Sequence, residues 1–151
     1  MKLLLAVDNS KYSVEATKEV AKRPWPAKTI VRVLSVAEPV TPPATELWYD
    51  AGGSLERVRK EMTNRAAEVA EKASKSLQRK DLRIESKVLE GDARSAILDE
   101  ARAWSADLIV MGSHGYTGIK RLLLGSVASS VVSHAPCSVE IVRRKQTKQS
   151  R

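Results

Sequence analysis

Short apolar runs alternate with longer amphipathic stretches along this chain. Met1–Val7, Thr29–Val36 and Asp107–Met111 have the length and composition of buried strands, and Cys137–Val142 reads as another strand at the end. Leu82, Ile84, Ser86 and Val88 instead alternate with charged or polar neighbours, the pattern of a half-exposed strand at a sheet edge. Between the strands the period lengthens. Tyr12, Ala16 and Val20 stand four apart and predict a helix from about Lys11 to Lys22, stopped by Pro24 and Pro26. Leu55, Val58, Met62, Ala66, Val69, Ala73 and Leu77 recur at spacings of three and four. They form one stripe along a long helix, assigned to core packing rather than to a coiled-coil seam, and Gly52-Gly53 breaks or delays its start. Asp92 caps a helix carrying Ile97, Leu98 and Ala101, and Ser126 opens one that runs to about His134. Pro39, Pro42 and Pro43 mark a loop.

Strands and helices that alternate through crossover-length connections require a parallel sheet with helices on both faces, a doubly wound α/β domain. The expected domain covers residues 1–144, with 145–151 as a basic, disordered tail. Ligands of such sheets bind beyond the carboxyl ends of the strands, where the winding order reverses. If the first and fourth strands are neighbours, the turns at Asp8 and Gly112 meet at that point.

Composition narrows the function classes. The chain has 151 residues, 42% hydrophobic and 29% charged, an ordinary globular balance. It has no apolar run of the ~18–20 residues that a membrane span needs. The first strand meets Asp8 too early for a signal peptide, so a cytoplasmic location is expected. One cysteine, Cys137, permits no internal disulfide and reads as a small buried strand residue. With two histidines, no metal site built from protein side chains is expected. The formal charge is +8, but Arg143, Arg144, Lys145, Lys148 and Arg151 supply five of those charges from the last nine residues, leaving three for the fold. Nucleic acid is therefore not the expected partner.

The chemically distinctive segment follows the fourth strand: Gly112-Ser113-His114-Gly115, nine residues, then Gly125-Ser126. Glycines where a strand ends and a helix begins let backbone amides approach a ligand, and a helix start offers N–H groups and partial positive charge to phosphate. Neither common phosphate motif is present. Gly115 to Lys120 is too short for a P-loop, and no glycine triplet fits the dinucleotide fingerprint. Asp8 and Ser10 also read as caps of the first helix, and His114 as an exposed loop residue.

Gly112, Gly115, Gly125 and Ser126 match, without a gap, the nucleotide signature of the universal stress protein family, which this chain resembles over roughly residues 1–144. Leu3–Ser10, Gly91-Asp92 and His134–Val139 carry the likeness further. The resemblance implies a five-stranded parallel sheet of order 3-2-1-4-5 and a bound ATP with Mg2+. Asp8 would lie by the adenosine beside Val7, and Val36 would contact adenine through its backbone. Met111, Gly112, His114 and Gly115 would border the ribose and first phosphates, and Gly125, Ser126 and Val127 the outer ones. It also implies a homodimer through the last strand, using Val139, Ile141 and Arg143. Asn9 stands where the family favours glycine, and Ser138 and Glu140 where its last strand is usually apolar. The expected function is an ATP-binding stress or regulatory protein in the cytoplasm, with slow hydrolysis at most, because only Asp8 and His114 are present to position a water. The alternative is a nucleotide-independent dimeric adaptor of the same fold.

Overall fold

The computed structural model describes residues 1–40, 53–79, 81–115 and 124–144. Pro42, Pro43, Gly52, the segment from Tyr116 to Lys120 and the tail 145–151 lie outside the described residues. The elements are β1 (Lys2–Val7), α1 (Lys11–Lys22), β2 (Ile30–Ala37), α2 (Ser54–Ser76), β3 (Arg83–Glu90), α3 (Ala93–Trp104), β4 (Leu108–Gly112), α4 (Ser126–His134) and β5 (Ser138–Val142). The strands form one parallel sheet in the order β3-β2-β1-β4-β5. This is the doubly wound α/β fold that the alternation requires.

Burial follows the sheet order. Leu3–Val7 of the central β1 and Ile109–Met111 of β4 are buried on both faces, which is why those segments are continuously apolar. No residue of the edge strand β3 is buried. On one face α1 and α2 close over Leu3, Leu5, Val31, Val33 and Val110; on the other, α3 and α4 close over Leu4, Ala6, Leu34, Ile109 and Met111. Winding reverses between β1 and β4, which pair from Leu3↔Leu108 to Ala6↔Met111.

The α3 side leaves part of β2 and β3 to charged residues. Arg32 donates to Glu85 at 2.7 Å and to Glu100 at 2.6 Å, Lys87 donates to Glu100 at 2.6 Å, and the Arg32 guanidinium lies 4.2 Å from the Trp104 ring centre. Glu100 is 5% exposed, and the two cations compensate its buried charge.

The long stripe on α2 is only partly core. Ala66, Ala70, Ala73 and Leu77 are buried, but Leu55 and Val58 are 36% and 40% exposed, against the expectation for the whole stripe. Length explains the difference. A 23-residue helix is about 34 Å long, whereas an eight-residue strand spans about 26 Å. The first turns of α2 therefore overhang the carboxyl edge of the sheet. Gly53 precedes them with φ 67°, a left-handed conformation suited to glycine and the physical form of the delayed start.

Candidate functional site

A cleft of about 750 Å3 opens beyond the carboxyl ends of β1, β2 and β4. That size lies in the ~300–1,000 Å3 range of small-molecule sites. Asp8 closes β1 there. Its Oδ1 accepts from the Ser10 N–H at 2.9 Å and from the Ser13 hydroxyl at 2.8 Å, while Ser10 Oγ accepts from the Ser13 N–H at 3.1 Å. Asp8 and Ser10 thus cap α1, and Asp8 also lines the cleft. The register of β1 with β4 brings the second turn alongside. A Cβ placed on Gly115 would stand 3.0 Å from Asp8 Oδ2, so the two turns converge as the strand order demands.

The signature glycines are not equivalent. Gly112 is buried, and a Cβ there would fall 2.6 Å from Tyr12 Cβ and 2.7 Å from the Tyr12 carbonyl carbon, so this glycine lets α1 lie against the end of β4. At Gly125 a Cβ would stand 3.2 Å from His114 Cα, and the Gly125 N–H donates to the Ser113 carbonyl at 2.8 Å. Gly115 faces the cleft. The His114 ring lies 5.1 Å from that of Tyr12, with its Nδ1 3.0 Å from Ser113 Oγ.

Helix starts at this edge differ in what covers them. Ser10 caps α1, whereas at α3 Asp92 accepts from the Ser95 N–H at 3.0 Å and Glu38 accepts from the Ala93 N–H at 3.2 Å. The Ser95 N–H and hydroxyl hold the Asp92 carboxyl below its usual range. Gly125 gives α4 no side-chain cap, and Ser126, exposed, stands at its first turn. Of the expected site residues, Val7, Asp8, Val36, Met111, Gly112, His114, Gly115 and Val127 line the cleft; Gly125 and Ser126 do not line it but directly precede Val127 in the chain.

The Universal stress protein family profile matches residues 1–143. The chain belongs to this family. It is similar to the universal stress protein MJ0531 of Methanocaldococcus jannaschii, with 33% identity over 146 residues, 95% of this chain and 82% of that protein. Among solved structures it is similar to protein MJ0577 of the same organism, with 26% identity, a TM-score of 0.81 and 97% of each chain covered. It also shares its fold with a universal stress protein family protein of Arabidopsis thaliana solved with AMP bound, at 16% identity and a TM-score of 0.63, covering 97% of this chain and 93% of that one.

Two departures from the universal stress protein pattern take physical form. Asn9 does not have a positive φ, so its position does not use the unusual backbone angles that asparagine tolerates. Glu140, on the last strand, accepts a two-pronged contact from Arg23 of the α1 C-terminus, both bonds at 2.6 Å. Residues that the sequence reading missed are on α2: Met62, Arg65, Ala66, Glu68 and Val69 form a wall of the cleft, with Glu38, Ala93 and Ile97 opposite. Helix length against strand length was the available signal, since an overhanging turn must face something beyond the sheet edge.

Proposed function

We propose that this universal stress protein binds ATP in the cleft and acts in the cytoplasm as a nucleotide-dependent regulatory protein. The observation that carries the reading is the meeting of Asp8 and Gly115 within a cleft at the winding reversal, next to the start of α4, where Gly125 supplies no side-chain cap. In this reading Asp8 accepts from ribose hydroxyls and the base lies toward Val36. Gly115, the α4 N–H groups and the Ser126 hydroxyl receive phosphate oxygens. Among the described residues no group of three His, Cys, Asp or Glu side chains gathers to hold a metal ion. In this reading Mg2+ would arrive on the phosphates of the nucleotide. The AMP-bound relative of the same fold makes adenine the first base to test.

Calorimetric titration of ATP with Mg2+ into the wild type and Gly115→Val tests the site. Gly115 is the better target than Gly125, because its added side chain would enter the cleft rather than strike the His114 backbone. A folded Gly115→Val protein with unchanged ATP affinity would refute the assignment. Phosphate release is expected far below the typical enzyme turnover of ~10 per second, and a steady-state assay in that range would make the protein an ATPase.

A nucleotide-independent adaptor is the second reading, favoured by one observation: Gly112 and Gly125 have packing reasons of their own, against Tyr12 and His114. It predicts no nucleotide released from the purified protein and no thermal shift with ATP.

A further inference from the structure

We infer that Arg65 holds the nucleobase in the cleft by laying its guanidinium over it from the α2 side, an inference that rests on the nucleotide reading above. Lateral position gives the first argument. Helix α2 packs against β2 and β3, whereas the glycine turn and α4 belong to β4 and β5. Two strand spacings, about 10 Å, separate β2 from β4. Arg65 therefore stands at the Val36 end of the cleft, away from the backbone groups suited to phosphate.

Chemistry gives the second argument. Arg65 is the only lysine or arginine among the described residues lining the cleft, where Asp8, Glu38 and Glu68 are the carboxylates. Its neighbours on the same wall, Met62 and Val69, and Val36 across from them are apolar, the surroundings of a base rather than of a phosphate. A guanidinium is planar, delocalised and weakly hydrated, and it stacks on aromatic faces.

Anchoring gives the third. Arg65 Nη2 donates to Glu61 Oε1 at 2.5 Å, one turn back on α2, and Glu61 does not line the cleft. A guanidinium's hydrogen bonds lie in its plane, so this exposed pair biases the group weakly and leaves its flat faces open to stacking. Glu61 is thus a positioning residue for Arg65.

Calorimetry with adenosine, AMP, ATP and tripolyphosphate on the full chain separates a base contact from a phosphate contact. Arg65→Ala is expected to weaken adenosine, AMP and ATP by the same factor, about fivefold, because a partly exposed cation–π contact is worth roughly one kcal/mol. Tripolyphosphate binding should not change. Arg65→Lys should restore the loss only in part, since an ammonium keeps the cation but has no plane to stack. Glu61→Ala should weaken the three adenine ligands about twofold, the scale of an i,i+4 helix pair, and have no further effect in the Arg65→Ala background. Weakening of ATP and tripolyphosphate with adenosine unchanged would overturn the inference by making Arg65 a phosphate contact. Unchanged affinities throughout would overturn it outright. A wild type that binds none of the adenine ligands would instead remove the nucleotide reading, and this inference with it.

Discussion

Two glycines three residues apart answer to different demands, and substitution should separate them. At Gly112 the neighbours of an added Cβ are the Tyr12 backbone and Cβ, which cannot swing away. Gly112→Ala should therefore cost about 1–3 kcal/mol by denaturant unfolding, the scale of overpacking. Among the described residues Gly115→Ala meets only the end of the Asp8 side chain; it should leave stability within about 0.5 kcal/mol of wild type and lower ATP affinity. Glu100 sets a different residue-level balance. Burial pushes its carboxyl up, but the Lys87 ammonium and the Arg32 guanidinium outweigh burial and hold it below the usual range. The unfolded chain then takes up the proton first as pH falls. The stability from this group is complete above the ordinary carboxylate range and is lost as pH drops through the depressed folded value. Glu100→Gln should cost about 1–2 kcal/mol near neutral pH, since Arg32 keeps Glu85 and Lys87 is partly exposed, and should flatten the acid limb of stability measured by denaturation at a series of pH values.

At the scale of elements, the start of α1 serves two purposes that can be taken apart. Ser10→Ala removes the acceptor for the Ser13 N–H, so it should lower stability by about 1 kcal/mol in thermal unfolding, the usual worth of such a cap. Nucleotide affinity should fall less than stability does, because the Ser10 hydroxyl reaches the His114 carbonyl of the glycine turn only at 3.5 Å. Asp8→Asn keeps an acceptor for the Ser10 N–H and removes the charge, so the reverse is expected: stability near wild type and weaker ATP binding by calorimetry. The strands and helices themselves were legible from short apolar runs and from two periods, two and 3.6, whereas the meeting of the Asp8 and Gly112 turns was conditional on a strand order that the family resemblance supplied. Other features depend on distances that no local pattern carries. The apolar period of α2 continues past the sheet edge, so Leu55 and Val58 look like core positions in sequence although both are exposed. The packing role of Gly112 depends on Tyr12, and Arg23 meets Glu140 across 117 positions.

At the scale of the molecule, β5 is the edge of the sheet beyond β4, and we propose that two chains pair antiparallel along it. Backbone direction singles out the residues that would do so. The Val142 carbonyl accepts from the Ser113 N–H on the β4 side at 3.0 Å. N–H and C=O of one residue point to the same side of a strand and alternate along it, so Val139, Ile141 and Arg143 turn theirs to the open edge. Two Glu140 carboxylates facing each other would repel, although each already holds the guanidinium of its own Arg23. Pairing centred on Ile141 joins Ile141 with itself and Val139 with Arg143 on both sides, and it sets each Glu140 across from a Val142 rather than from its twin, so the proposed dimer takes that register. Ile141→Pro removes an outward N–H and no bond to β4, so the variant should fold and remain monomeric while the wild type scatters light as a dimer at micromolar concentration. Glu140→Gln should dimerise as the wild type does under this register. A monomeric wild type, or a folded proline variant that still dimerises, would show that the β5 edge is not the interface.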